Sequence, residues 1–219
     1  LYEILPGLTI WLTLIISVAL SFIRPLWMIY FILIFYVYWV LRVVYFSFYL
    51  FLSWKRFRNA IKINWFENLS KEFPNWEKRK NVIFLPVYNE GWEVLESTLN
   101  SCLNSSYPAG KIYLVISGEE RNLEYWQKMQ KRIFENYSGK FADLIFYTHS
   151  ANLPDEIPGK GSNIHSAEME FKKYADARGW NYADIIASIF DSDTIIHPHY
   201  FAHLSYLYCK HPRPERSSF

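Results

Sequence analysis

Ile4 to Ile23, "ILPGLTIWLTLIISVALSFI", runs for 20 residues without a charge. Coiled as an α-helix it is about 30 Å long, the thickness of a bilayer's hydrocarbon core. Arg24 and Pro25 interrupt it, and a second apolar run follows from Leu26 to Trp54, broken only by Arg42. Neither run has a polar face to turn toward water, which disfavours a pair of buried core helices. A signal peptide fits poorly as well, since no basic segment precedes the run and no small-residue cleavage site follows it. The pattern predicts a transmembrane hairpin over residues 1–54.

The ends of that hairpin set an orientation. Arg42 marks a place where the second helix can leave the hydrocarbon with its side chain snorkelling toward the headgroups. The aromatic continuation "VVYFSFYLFLSW" then lies at the interface or extends a tilted span. Lys55, Arg56, Arg58 and Lys62 come next, against Arg24 alone at the other end. By the positive-inside rule this predicts a multi-pass protein of the cytoplasmic membrane with its soluble part in the cytoplasm. Residues 55–80 read as a basic juxtamembrane connector, and residues 81–219 as a globular domain. The formal net charge of +2 is too small to point to nucleic acid as a partner. Two cysteines, Cys102 and Cys209, with no C-x-x-C pair suit a reducing compartment. A first residue of Leu1 and a last segment "PERSSF" lead us to expect a piece of a longer protein.

Beyond Lys80, short apolar runs alternate with longer amphipathic ones. The expected strands are Asn81 to Val87, Lys111 to Ser117, Asp143 to Tyr147 and Asp184 to Phe190. The expected helices are Trp92 to Asn104, Leu123 to Tyr137, Ser162 to Arg178 and Pro198 to Cys209. Such alternation indicates an α/β domain with a mostly parallel sheet, in which ligands bind beyond the carboxyl ends of the strands.

Polar residues follow each expected strand. "PVYNEG" (Pro86 to Gly91) follows the first, and "SGEER" (Ser117 to Arg121) the second. The long loop "THSANLPDEIPGKGSN" follows the third, and "DSD" (Asp191 to Asp193) the fourth. In an extended segment Asp191 and Asp193 would project from one face with Ser192 turned away, offering two oxygen ligands to Mg2+ or Mn2+. A strand end leading into a helix cap explains them equally well. Lys160 lies between Gly159 and Gly161, a setting that admits a phosphate beside a point charge or that makes a plain surface loop. Tyr88 can contact a base ring and Glu90 can accept from ribose hydroxyls, or the stretch is ordinary turn chemistry. His199 and His203 are spaced to share a helix face, but "HPHYFAHL" reads more simply as an amphipathic helix opened by Pro198.

Together these pieces resemble the family 2 glycosyltransferases, membrane-associated enzymes of GT-A (Rossmann-like) fold. "PVYNE" is similar to that family's opening motif, "GKGSN" to its phosphate-proximal loop and "DSD" to its metal-binding D-x-D, in the same order along Asn81 to Tyr208. The resemblance implies a nucleotide-sugar donor bound by Pro86, Tyr88, Asn89, Glu90, Lys160, Asn163 and Asp191. Within that set, Tyr88 and Glu90 would lie by the nucleoside, and Lys160 and Asn163 by the diphosphate or the base-side wall. Mg2+ or Mn2+ would sit at Asp193, with Asp191 reaching the metal, the ribose or the sugar. It implies transfer of a sugar at the cytoplasmic membrane face to a saccharide or lipid-linked acceptor.

Two departures from the family pattern stand out. The aspartate-rich segment expected after the second strand is "SGEER" here, leaving Glu119 or Glu120 to serve. Only 26 residues follow Asp193, with Glu215 as their sole acid, so no catalytic base is assigned and the chain reads as the donor-binding half. The alternative is a membrane-anchored module with a scaffold or regulatory role. A phosphatase of the haloacid-dehalogenase type fits "FDSDTI" less well, because Ile195 stands where that motif has threonine.

Overall fold

The computed structural model describes residues 4–154 and 156–214; Glu215 lies outside them. The chain forms two compact units, Leu1–Ile63 and Asn64–Phe219.

The first unit is a pair of helices, α1 (Leu5–Ile23) and α2 (Pro25–Ala60). Arg24 separates them at φ −145°, ψ 72°, because a following proline pushes its neighbour out of the helical region. Pro25 then starts α2, where its missing N–H is no loss. Thr9 and Ser21 satisfy their hydroxyls within α1: Thr9 donates to the Leu5 carbonyl at 2.7 Å, and Ser21 to that of Ser17 at 2.8 Å. Both helices are long and apolar enough to cross a membrane, and their hydrophobic windows bury no side chain inside the protein. At 36 residues α2 is about 54 Å long and runs past Trp54, carrying Lys55, Arg56 and Arg58 on its last turns.

Residues 55–80, expected as a connector, therefore divide between the two units. The second unit begins with α3 (Trp65–Glu72), whose cap Asn64 accepts from the Glu67 N–H at 3.3 Å. Leu69 of α3 and Trp76 beyond it are buried in the main core. This stretch is part of the fold.

Four strands make the sheet: β1 (Lys80–Pro86), β2 (Ile112–Glu119), β3 (Asp143–His149) and β4 (Ile185–Ile189). All pairs are parallel, in the order β3-β2-β1-β4. The helices between and after them are α4 (Trp92–Leu103), α5 (Leu123–Tyr137), α6 (Lys160–Ala177) and α7 (Tyr200–Lys210). Period-two alternation divides the core. Ile83, Leu85, Leu114 and Ile116 join Leu95, Leu99, Trp126, Ile133 and Phe201 on one face. Val82, Phe84 and Val115 meet Ala167, Phe171 and Ala175 of α6 on the other. Cover on both faces is what makes β1 and β2 near-continuous apolar runs.

Three boundaries differ from expectation in ways that matter to function. β2 and β3 each run two residues further at the carboxyl end, because Gly118 pairs with Thr148 and Glu119 with His149. Helix α6 starts at Lys160, not Ser162, so Lys160 is its first residue and not a loop tip. The segment after β4 is a turn closed by the Thr194 N–H on the Asp191 carbonyl at 3.0 Å, not an extension of the strand.

Candidate functional site

The carboxyl ends of β1, β2 and β4 and the start of α6 enclose one cleft of about 380 Å³. Its walls are built from below. Past β1, the Val87 N–H donates to the Ser117 carbonyl at 2.7 Å and prolongs the sheet pairing by one residue. Glu90 Oε2 then accepts the N–H groups of Tyr88 and Asn89, at 2.7 and 3.0 Å. Tyr125 donates its hydroxyl to the Glu90 carbonyl at 2.6 Å, and Asn122 donates to that of Tyr88 at 3.1 Å. Burial, then the nearby Glu90 charge, pushes the Tyr125 phenol up to about 12, so it remains a donor at neutral pH. One Glu90 oxygen expected for ribose hydroxyls is thus engaged by its own loop. The Tyr88 ring stands out of that braced loop, 54% exposed.

Glu119 ends β2 with only 4% of its surface exposed. Its Oε2 accepts from Arg121 Nη2 at 2.8 Å and lies 3.2 Å from Nδ1 of the buried His149. Burial by itself raises the carboxyl's pKa, but the hydrogen bonds from Arg121 and His149 outweigh it, and the net shift is downward. The other His149 nitrogen lies 2.7 Å from Glu156 Oε1, close enough to pair though off the line of a hydrogen bond. Arg121 also lies over the Tyr88 ring, 6.0 Å from its centroid. Glu120 points elsewhere, accepting from the Ala151 N–H at 2.7 Å. Of the two acids in "SGEER", Glu119 is the one in the cleft wall.

The turn after β4 is held by α4. Thr98 donates its hydroxyl to the Ser192 carbonyl at 2.7 Å, and Ser101 accepts the Ile196 N–H at 3.3 Å. Just before the turn, the Phe190 N–H reaches the Phe84 carbonyl at 3.0 Å. With the backbone fixed beneath them, both aspartates are exposed. The backbone beneath them is a turn and not the extended segment expected. The turn brings Asp191 and Ser192 into the cleft wall and leaves Asp193 outside its lining.

Opposite them, Ser162 fixes the start of α6. Its hydroxyl accepts the Gly159 N–H at 3.1 Å and bonds back to the Gly159 and Ile157 carbonyls. Lys160 forms an ion pair with Asp191 across the cleft. One turn later Asn163 is 2% exposed, lines the cleft, and has no hydrogen-bond partner for its Oδ1 among the described residues.

Pro86, Tyr88, Glu90, Glu119, Lys160, Asn163 and Asp191 all line this one cleft, whereas Asn89 and Asp193 do not. Gly159 lines it beside Lys160, and Arg121, Val87, Pro158 and Ser192, not expected from sequence, complete it. The nearest available signal was for Arg121, a base two residues after an acid at a strand end. No group of three or more His, Cys, Asp or Glu poised for a metal occurs among the described residues, which includes His199 and His203. His203 instead stacks on Trp65 with ring centroids 3.9 Å apart, and His199 Nδ1 meets the Ser106 hydroxyl at 3.0 Å.

No family model matches this chain. Nor does any curated protein. Among solved structures it is similar to that of Staphylococcus aureus TarS 1–349, with 19% identity over 55% of this chain and 29% of that one, at a TM-score of 0.36. The complex of TarS 1–349 with UDP-GlcNAc is similar at 18% identity over 56% of this chain and 29% of that one, TM-score 0.35. A further TarS structure is 19% identical over 52% of this chain and 16% of that one, TM-score 0.33. The chain spans less than a third of the length of these structures.

Proposed function

We propose that this chain is the donor-binding half of a membrane-anchored, family 2-like glycosyltransferase that takes a nucleotide sugar in the cleft between Tyr88, Glu119, Lys160 and Asp191. The observation that carries the reading is convergence. Side chains from three strand ends and one helix start, far apart in sequence, meet in one cleft with a cation, a carboxylate and an unpaired amide oxygen. A buried acceptor without a partner costs about 1–3 kcal/mol, and a ligand donor at Asn163 would relieve it.

The chemistry of each wall suits one part of such a donor. Tyr88, with Arg121 behind it, is a stacking surface for a base. Glu119, held ionised by Arg121 and His149, accepts hydrogen bonds from the base or its ribose. Lys160 and the first turn of α6 face a diphosphate. The two exposed carboxylates of Asp191 and Asp193 fit Mg2+ or Mn2+ of the kind that keeps water and substrate phosphates in its shell, since a protein-caged site needs more ligands. When bound there, the cation supplies Lewis-acid neutralisation of the diphosphate leaving group. The sugar then passes to an oxygen of a saccharide or lipid-linked acceptor. We place this domain on the cytoplasmic face of the membrane, because Lys55, Arg56, Arg58 and Lys62 follow the apolar helices.

Calorimetric titration of the detergent-solubilised chain with UDP, GDP, CDP and ADP, each with Mn2+, tests the reading. One nucleotide is expected to bind, and Asp191→Ala or Asp193→Ala should weaken it about tenfold or more, as loss of a charged partner does. A folded sample that binds none of the four contradicts it, as does unchanged affinity in both variants.

A further inference from the structure

Lys160 reaches across the cleft from the first turn of α6. Its ammonium is ion-paired with Asp191, and neither group has another ion-pair partner among the described residues. Both side chains are open to solvent, 49% and 64% exposed. An exposed pair of this kind contributes little to stability. The fold does not need it either, since Thr98, Ser101 and Phe84 hold the Asp191 turn and Ser162 holds the start of α6. Asp193 makes no ion pair among the described residues, so a cation arriving at the two aspartates meets one free carboxylate and one occupied one.

We propose that Lys160 is an exchangeable placeholder: its ammonium occupies Asp191 while the cleft is empty and moves to the diphosphate when cation and nucleotide enter together. This rests on the reading of the cleft given above. A divalent cation entering alone must displace the ammonium and then sit near an unneutralised positive charge. When a diphosphate enters with it, the ammonium gains a new anionic partner as it leaves the old one. Lys160 therefore opposes cation binding by itself and favours cation and diphosphate jointly. Coupling of this kind is reciprocal, so the factor by which nucleotide tightens the cation equals the factor by which the cation tightens nucleotide.

The test measures Mn2+ binding to the full chain by electron paramagnetic resonance, with and without the tightest-binding of UDP, GDP, CDP and ADP. Lys160→Met is compared with the parent and with Lys173→Met, which removes the same charge further along α6. Circular dichroism confirms that each is folded. Lys160→Met is expected to bind Mn2+ alone about threefold to fivefold more tightly, the scale of an exposed ion pair. Its coupling factor should fall toward one, while Lys173→Met matches the parent in both. Unchanged or weaker Mn2+ binding by Lys160→Met overturns the placeholder while leaving the cleft reading intact. The same holds for an equal gain in Lys173→Met. A folded parent that binds no nucleotide with Mn2+ overturns both.

Discussion

At Gly118 a methyl group would land on the ring carbons of Trp126. That ring has no room to retreat: it is 1% exposed, and its Nε1 donates to Thr148 at 2.7 Å. Gly118→Ala should therefore cost about 1–3 kcal/mol of stability, read as a lower denaturant midpoint, and should weaken nucleotide binding because Glu119 is the next residue. Sequence alone carries the types of side chain at this edge but not their partners. Lys160, Asp191 and Tyr88 were legible because charge or ring at a strand end is itself the signal. His149 was not, since a histidine closing a strand gives no sign that residues 119, 121 and 156 surround it. Asp193 shows the limit from the other side. Residues 191–193 read as extended from their pattern, whereas a hydrogen bond from the Thr194 N–H to the Asp191 carbonyl turns the backbone there and leaves Asp193 outside the cleft lining.

Between elements, α3 and α7 meet through the stack of Trp65 on His203. Burial lowers the pKa of His203 below its usual value near 6.5. The unfolded chain then binds the proton more readily than the folded one, so stability rises with pH through this group and falls as pH drops below about 6.5. A melting temperature measured at pH 7.5 and 5.5 should decline, and His203→Phe, which keeps the stack, should decline less. Equal declines in both would mean that the stack does not hold its histidine neutral. The elements themselves were legible: each apolar run became a strand and each amphipathic run a helix, with α5 found to the residue. Their ends were not. The extra residues of β2 and β3 come from pairing with each other, and the early start of α6 comes from Ser162 bonding back across Gly159. Neither partner is visible along one stretch of chain.

At the scale of the molecule, an apolar helical unit and a unit with its own closed core make separate demands on solvent. The full chain is expected to stay with membranes through high salt and alkaline carbonate, whereas a chain beginning at Asn64 should remain in solution without detergent. Fractionation followed by blotting distinguishes the two, and a full-length chain released by carbonate would speak against spanning helices. The strand order has a different kind of consequence, one of time. In the sheet, β1 lies between β2 and β4, and Phe84 finds its β4 partner, Ile189, only 105 residues further along. A ribosome adding about 5–20 residues per second needs roughly 5–20 s to cover that distance. Until then a nascent chain holds β1 with one edge unpaired. Asp191 emerges just after the strand that closes this edge. Ligands can therefore rescue only the finished domain, and the waiting interval is where chaperones or a codon-level pause would alter the yield.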